Sequence, residues 1–113
     1  MHSQIIDSAY VFGVNYKARI NNRNGSFSKA YSMINDLITR LDKQNNLEFL
    51  AYSYQTKANI EQNLGKYEAS VKTAKRALQM SLDLKDSTNI AYNYNLVGIG
   101  YYFLSDYDST KIY

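Results

Sequence analysis

The chain has 113 residues, 45% of them apolar and 20% charged, with no cysteine and a formal net charge of +3; this is enough for one domain with its own core, and neither a disordered nor a membrane-embedded composition. The basic residues are spread along the chain, and the densest group, Lys66, Lys72, Lys75 and Arg76, has Glu68 among it, which fits a solvated helix face better than a phosphate-binding stripe. Without cysteine there is neither a disulfide framework nor a thiolate metal site, and no stretch is apolar enough to span a bilayer.

Between Gln4 and Arg23, the apolar Ile5, Ile6, Ala9, Tyr10, Phe12, Val14, Ala18 and Ile20 predict a helix with a broad buried face. Asn21-Asn22-Arg23-Asn24-Gly25 closes it, because Asn and Gly tolerate the left-handed backbone that ends a helix. Ser26 is a candidate cap for the second helix, which runs to Lys43 with Phe27, Tyr31, Ile34, Ile38 and Leu41 spaced four and three apart in turn. Gln44-Asn45-Asn46 turns the chain. A third helix, from about Leu47 to Asn63, carries Leu50, Ala51, Tyr54 and Ala58 on one face and closes at Leu64-Gly65. The fourth, from Lys66 to about Leu84, repeats the stripe of the second with Tyr67, Val71, Ala74, Leu78 and Leu82. Ser87 or Thr88 would cap a fifth helix ending near Leu104, with Ile90, Tyr94, Val97 and Tyr101 as its stripe, and Asp106 to Tyr113 would begin a sixth. No strand is expected, since helical spacing outweighs the β propensity of the many tyrosines. Short connections fold such helices into antiparallel hairpins. The expected fold is all-α, an α-α superhelix of about three hairpins in a single domain.

A repeat of 40 residues underlies this order. Leu50-Ala51-Tyr52-Ser53-Tyr54 returns as Ile90-Ala91-Tyr92-Asn93-Tyr94, Gly65-Lys66-Tyr67 is answered by Ser105-Asp106-Tyr107, and Lys17-Ala18 and Ile20 match Lys57-Ala58 and Ile60. The units span about residues 4–43, 47–85 and 87–113, the last truncated. In the third unit Tyr94, Val97, Gly98 and Tyr101, followed by Ser105-Asp106-Tyr107-Asp108, resemble the tetratricopeptide repeat (TPR), which places an aromatic, a leucine-like, a small residue and a tyrosine at these spacings. The resemblance implies that Ala18, Ala58 and Gly98 stand where paired helices cross most closely, and that Phe27, Tyr67 and Tyr107 fill the space between units. It also implies a right-handed solenoid whose first helices line a concave peptide-binding face. The chain departs from the family in its longer repeat, against about 34 residues, and in having no proline. Lys17 and Lys57 stand at the leucine-like position, and Asn21 and Glu61 at the tyrosine position. Longer repeats of this kind look like the sensory arrays of bacterial signalling and regulatory proteins.

The residue inventory speaks against an enzyme. The one histidine, His2, lies beside the N-terminus, no serine sits in a Gly-x-Ser-x-Gly turn, and no glycine-rich phosphate loop is present. Asp106 and Asp108 flank Tyr107 at an expected turn and suit the capping of a helix start. No spacing of His, Asp and Glu marks a metal site, and no cofactor is implied.

What remains is a binding surface. On the first helices Asn15, Gln55 and Asn95 form a row at the repeat offset, Arg19 and Asn59 a second, and Asn22, Gln62 and Tyr102 a third, rimmed by Arg23, Asn63 and Phe103. Primary amides both donate and accept, which suits an extended peptide backbone; the alternative is an Asn-rich solvated face. Phe12, Tyr52 and Tyr92 share one offset and are candidate aromatic anchors. The groove positions matching the TPR clamp for acidic chaperone C-termini are Asn15, Arg19, Thr56, Tyr92 and Leu96, with a single basic residue among them, so that mode is set aside. The expected function is a non-enzymatic scaffold for a protein or peptide segment, or else the sensory part of a larger bacterial histidine kinase or transcriptional regulator. No direct nucleic-acid contact and no membrane contact of this segment are expected. Ile99, Tyr102 and Phe103 lack cover, which implies a fragment of a longer protein that self-associates or frays at its C-terminal end. Localisation is cytoplasmic if Met1 is the native start, and periplasmic or extracytoplasmic if the chain is an excised domain.

Overall fold

The computed structural model describes the backbone of residues 7–44 and 46–112, and side chains for 7–44 and 46–105. The expectations placed on His2, Gln4, Ile5, Ile6 and Asn45, and on the side chains of Asp106, Tyr107 and Asp108, lie outside these residues. Five helices follow one another: α1 (Ser8–Arg23), α2 (Phe27–Lys43), α3 (Leu47–Asn63), α4 (Tyr67–Asp83) and α5 (Ser87–Ile112). Among the described residues there is no strand, and no helix is long and apolar enough to cross a membrane.

Each helix packs on the next; α1 and α3 also touch, as do α3 and α5, whereas α2 and α4 do not. The first helices of successive units therefore form one layer and the second helices another. The arrangement is an all-α helical-hairpin superhelix, with hairpins α1–α2 and α3–α4 and with α5 laid on the second.

The turns explain the hairpins. After α1, Gly25 N–H donates to Asn22 O and Ser26 N–H to Asn21 O; after α3, Gly65 and Lys66 repeat this pair onto Gln62 and Glu61; after α4, Lys85 and Asp86 repeat it onto Leu82 and Ser81. This two-bond closure needs a left-handed residue at its centre, and Gly25 at φ 89°, Gly65 at φ 76° and Lys85 at φ 56° supply it. Helix starts are capped by Asp7, Asn46 and Asp86, which accept from the N–H groups of Tyr10, Phe49 and Asn89. Ser26 stands at the start of α2 but its hydroxyl makes no capping bond, and the cap of α5 is Asp86 rather than Ser87 or Thr88.

The core follows the α2 stripe. Ile34, Ile38 and Leu41 are buried as their spacing predicts, joined by Ala30 and Leu37, against Val11 and Ala18 of α1 and Leu50 and Ile60 of α3. A smaller cluster of Ala58, Ala74 and Leu96 joins α3, α4 and α5. Three faces are rotated from expectation. On α1, Val11, Asn15 and Ala18 are buried while Tyr10 and Phe12 are exposed; on α4, Ala77 and Ser81 are inside and Leu82 is outside. On α5, Asn93, Leu96 and Gly100 face inward, and Tyr94 and Tyr101 are 58% and 45% exposed.

The fifth helix also does not end near Leu104. It runs unbroken through Ser105 and Asp106 to Ile112, so no sixth helix folds back. Ser105 stands where Gly25 and Gly65 end α1 and α3; glycine eases that closure, although Lys85 makes it without one after α4, and at Ser105 the helix continues. The consequence reaches Gly98. Ala18 and Ala58, at the same register, are fully buried, but a Cβ added at Gly98 would have nothing within 4 Å. The tight crossing is at Gly100 instead, where an added Cβ would lie 2.9 Å from Val71 Cγ2. Gly98→Ala should therefore stabilise the fold by about 0.5–1 kcal/mol through helix propensity. Gly100→Ala should be less stable than Gly98→Ala by about 1–3 kcal/mol, because it overpacks against Val71. Urea denaturation of the two variants checks the order, and equal stabilities would contradict the close α4–α5 packing.

Candidate functional site

The face shared by α1 and α3 is tied by cross-repeat hydrogen bonds. Asn15, fully buried on α1, donates through Nδ2 to Val11 O at 3.0 Å and to Ser53 Oγ at 3.2 Å, and its Oδ1 accepts from the Thr56 hydroxyl at 2.6 Å. With both amide N–H groups donated and the side chain fully buried, Asn15 is closed to a ligand. Gln55, 3% exposed, donates to Asn89 Oδ1 of α5 at 3.0 Å. Asn95 is exposed and outside both depressions described here. The row Asn15, Gln55 and Asn95 is thus not a ligand-facing row: stacking of one first helix on the next buries its first two members.

The second and third rows behave differently. Arg19 and Asn22 of α1 meet Asn59, Gln62 and Thr56 of α3 around a cleft of about 220 Å³, with Arg23 and Asn63 at its rim. Asn63 Nδ2 donates to Asn22 Oδ1 at 2.8 Å, closing one end. At the other, the Arg19 guanidinium lies 5.2 Å from the centre of the Tyr52 ring, a cation–π contact. The pattern recurs one unit on, where Asn59 Nδ2 donates to the Tyr92 hydroxyl at 3.1 Å. Tyr52 and Tyr92 therefore hold the second-row residues of the preceding unit. Tyr102 is 70% exposed, away from the cleft, and Phe103 stacks on Tyr67 at 5.6 Å.

The electrostatics of the cleft are one-sided. Arg19 and Arg23 are the charged lining residues and no carboxylate lines it. Arg19 Nε and Gln62 Nε2 are buried donors with no acceptor among the described residues, a condition that costs about 1–3 kcal/mol per group until an acceptor arrives.

Glu61, in contrast, turns to the α2 side, where its Oε2 accepts from the Tyr31 hydroxyl at 2.6 Å. Lys57 and Lys66 lie 5.8 and 5.6 Å from the Tyr31 ring centre. Burial first, and then the bond to Glu61, push the Tyr31 hydroxyl up to about 12 from its ordinary 10. Among the described residues no group of three or more His, Asp or Glu could hold a metal ion.

Arg19, Asn22, Asn59 and Gln62, grouped by the repeat offset, lie together around the cleft. Sequence reasoning named Thr56 only as a groove position of the clamp that was set aside, and of a second depression it named Phe12 and Tyr52 as aromatic anchors but not Glu48, Phe49 or Asp86. Phe49 and Glu48 have no counterpart of their own type at the repeat offset, so periodicity carried no signal for them. No protein-family model, curated protein or solved structure matches the chain.

Two outcomes follow from this geometry. Asn15→Ala strips partners from Ser53 and Thr56 and should lower stability by about 1–3 kcal/mol in chemical denaturation. An unchanged midpoint would contradict the buried role of the amide. Tyr31 gives a pH signature. In the unfolded chain it loses its proton near its ordinary value, while the folded state keeps the proton to about 12, so the stability it contributes is present below pH 10 and lost as pH rises toward 12. The stability difference between wild type and Tyr31→Phe should shrink across that window, measured by denaturation at stepped pH.

Proposed function

We propose that the chain is a non-enzymatic, TPR-like binding module that holds an extended peptide segment along the α1–α3 face and receives an acidic group of that segment in the Arg19–Arg23 cleft. The observation that carries this is the one-sided charge of the cleft: two guanidinium groups and no carboxylate among its lining residues. A carboxylate offers four acceptor positions and can engage an Arg fork in two parallel bonds. It answers the charge of the two guanidinium groups, which a neutral amide backbone does not. Asn22 is held through its Oδ1 by Asn63, so its amide N–H groups are pre-positioned and less side-chain ordering is needed on binding.

Selection of peptides from a random library on the immobilised protein, followed by calorimetry, tests the reading. Selected peptides should share an Asp, a Glu or a free C-terminal carboxylate. The double variant Arg19→Ala/Arg23→Ala should bind them about tenfold or more weakly, as loss of a charge-assisted contact implies. Alanine at the exposed Asn95 should leave affinity unchanged. Peptides without an acidic group, or full affinity in the double variant, would retire the proposal.

A further inference from the structure

A second depression, of about 140 Å³, lies on the same face toward the start of α3, and its chemistry is the reverse of the cleft's. Its aromatic walls are Phe12 of α1 and Phe49 and Tyr52 of α3. Phe12 meets Phe49 edge to face at 6.1 Å and 79°, and Tyr52 at 5.5 Å and 78°. Two carboxylates, Glu48 and Asp86, join Ala51, Ser81, Leu84 and Asn89 in the rest of the lining, and no Lys or Arg belongs to it. Asp86 is fixed there because it caps α5, accepting the backbone N–H of Asn89 at 3.3 Å and its amide Nδ2 at 2.5 Å. Glu48 is exposed and makes no ion pair among the described residues. Aromatic faces carry negative charge density that attracts an ammonium or guanidinium, and Tyr52 already accepts Arg19 in this way at 5.2 Å. Rings set at right angles with carboxylates at the margin suit a cation on an apolar stem; an acid is repelled and a purely apolar group leaves the carboxylates unused. The volume is well below the roughly 300 Å³ of pockets that enclose drug-sized ligands, and fits one side chain.

Tyr52, Thr56, Asn59 and Asn63 follow one face of α3, so the two depressions lie along one line on that helix. From the middle of one lining to the middle of the other is about ten residues of α3, or about 15 Å of helix. An extended peptide crosses that distance in about four to five residues.

We infer that this aromatic-and-acid pocket receives the side chain of a lysine in the same segment whose acidic group enters the Arg19–Arg23 cleft, the two lying about four to five residues apart. The inference rests on the proposed anion site for its second half, and the pocket for its first. The specificity it implies is for a dipolar segment, one end cationic and the other anionic, read by opposite ends of the α1–α3 face.

The halves are tested separately by nuclear magnetic resonance titration of the isotope-labelled chain with three small probes: Nα-acetyl-lysine N-methylamide, its norleucine counterpart, and Nα-acetyl-glutamate N-methylamide. The lysine probe should shift the amides of residues 48–52 and 86–89, and should bind about three- to fivefold more tightly than norleucine, the margin a cation–π and carboxylate site supplies. Glu48→Gln and Phe12→Ala, both at exposed positions, should each weaken the lysine probe while the glutamate probe still shifts residues 19–23 and 59–63. Arg19→Ala/Arg23→Ala should do the opposite. Equal binding of lysine and norleucine, shifts outside the pocket, or indifference to Glu48→Gln would overturn the lysine pocket. Silence of the glutamate probe alone would overturn the anion site and leave the pocket standing.

Discussion

One buried amide sets the geometry on which the binding face depends. Asn15 is sealed between α1 and α3, and both ends of its side chain are bonded, to Ser53 and Thr56 across the interface and to Val11 within its own helix. An apolar contact between two helices tolerates sliding, because one methyl group is much like the next. A buried amide does not. Shifting α3 by one turn, about 5.4 Å, would leave Asn15 Oδ1 and Nδ2 without their cross-helix partners in a dry interface, and groups orphaned in that way are strongly disfavoured. The register is thereby fixed, and with it the placement of Arg19 over Tyr52 and of Asn22 against Asn63. The next interface uses other means: Leu96 stands where Thr56 stands one unit earlier, and the polar link passes through Gln55 to Asn89 and Asp86.

Much of the fold was legible in the sequence because its signals are local. Alternating four and three spacings on α2, and glycines at 25 and 65, fix helix existence and helix ends through backbone geometry alone. The bounds of α3 came out at Leu47 and Asn63 as expected. Where reading failed, the deciding fact was the presence or absence of a neighbour. The spacing of Tyr94, Val97 and Tyr101 is helical, yet only Val97 packs against the core, while Tyr94 and Tyr101 stay exposed, and the face toward α4 is made chiefly by Asn93, Leu96 and Gly100. Expecting a turn at Ser105 extended the period past the second hairpin, where α5 runs on instead.

The site shows the same division. The offset of 40 residues correctly groups positions that are equivalent within a unit, but equivalence is not exposure. Asn15 and Gln55 are polar residues that a solvent-facing reading fits as well as a buried one, and only the stacking of first helix on first helix separates the two. Arg19, Asn22, Asn59 and Gln62 survive as a group because they sit one or two turns further along, where the helices part enough to leave a cleft. Of the acidic and aromatic depression only Phe12 and Tyr52 leave a periodic trace, since its other residues, from α3, α4 and α5, meet there through tertiary packing.

The energetics of such a face favour selectivity over strength. A charge contact in open water contributes between nothing and about 1 kcal/mol, and a cleft of about 220 Å³ covers little of any ligand. What would favour an anion in the proposed mode is the pairing of two guanidinium groups with no opposing carboxylate in one cleft. At the cation end, Asp86 is committed to its place by the cap of α5. In the proposed mode the anion end is worth about tenfold in affinity and the cation end about three- to fivefold. Held on one rigid pair of helices at a fixed separation, the two ends would act together on a single segment, the second contact forming at the effective concentration set by the first. A segment with only one of the two charges loses that advantage entirely, so discrimination between segments exceeds what either depression provides alone.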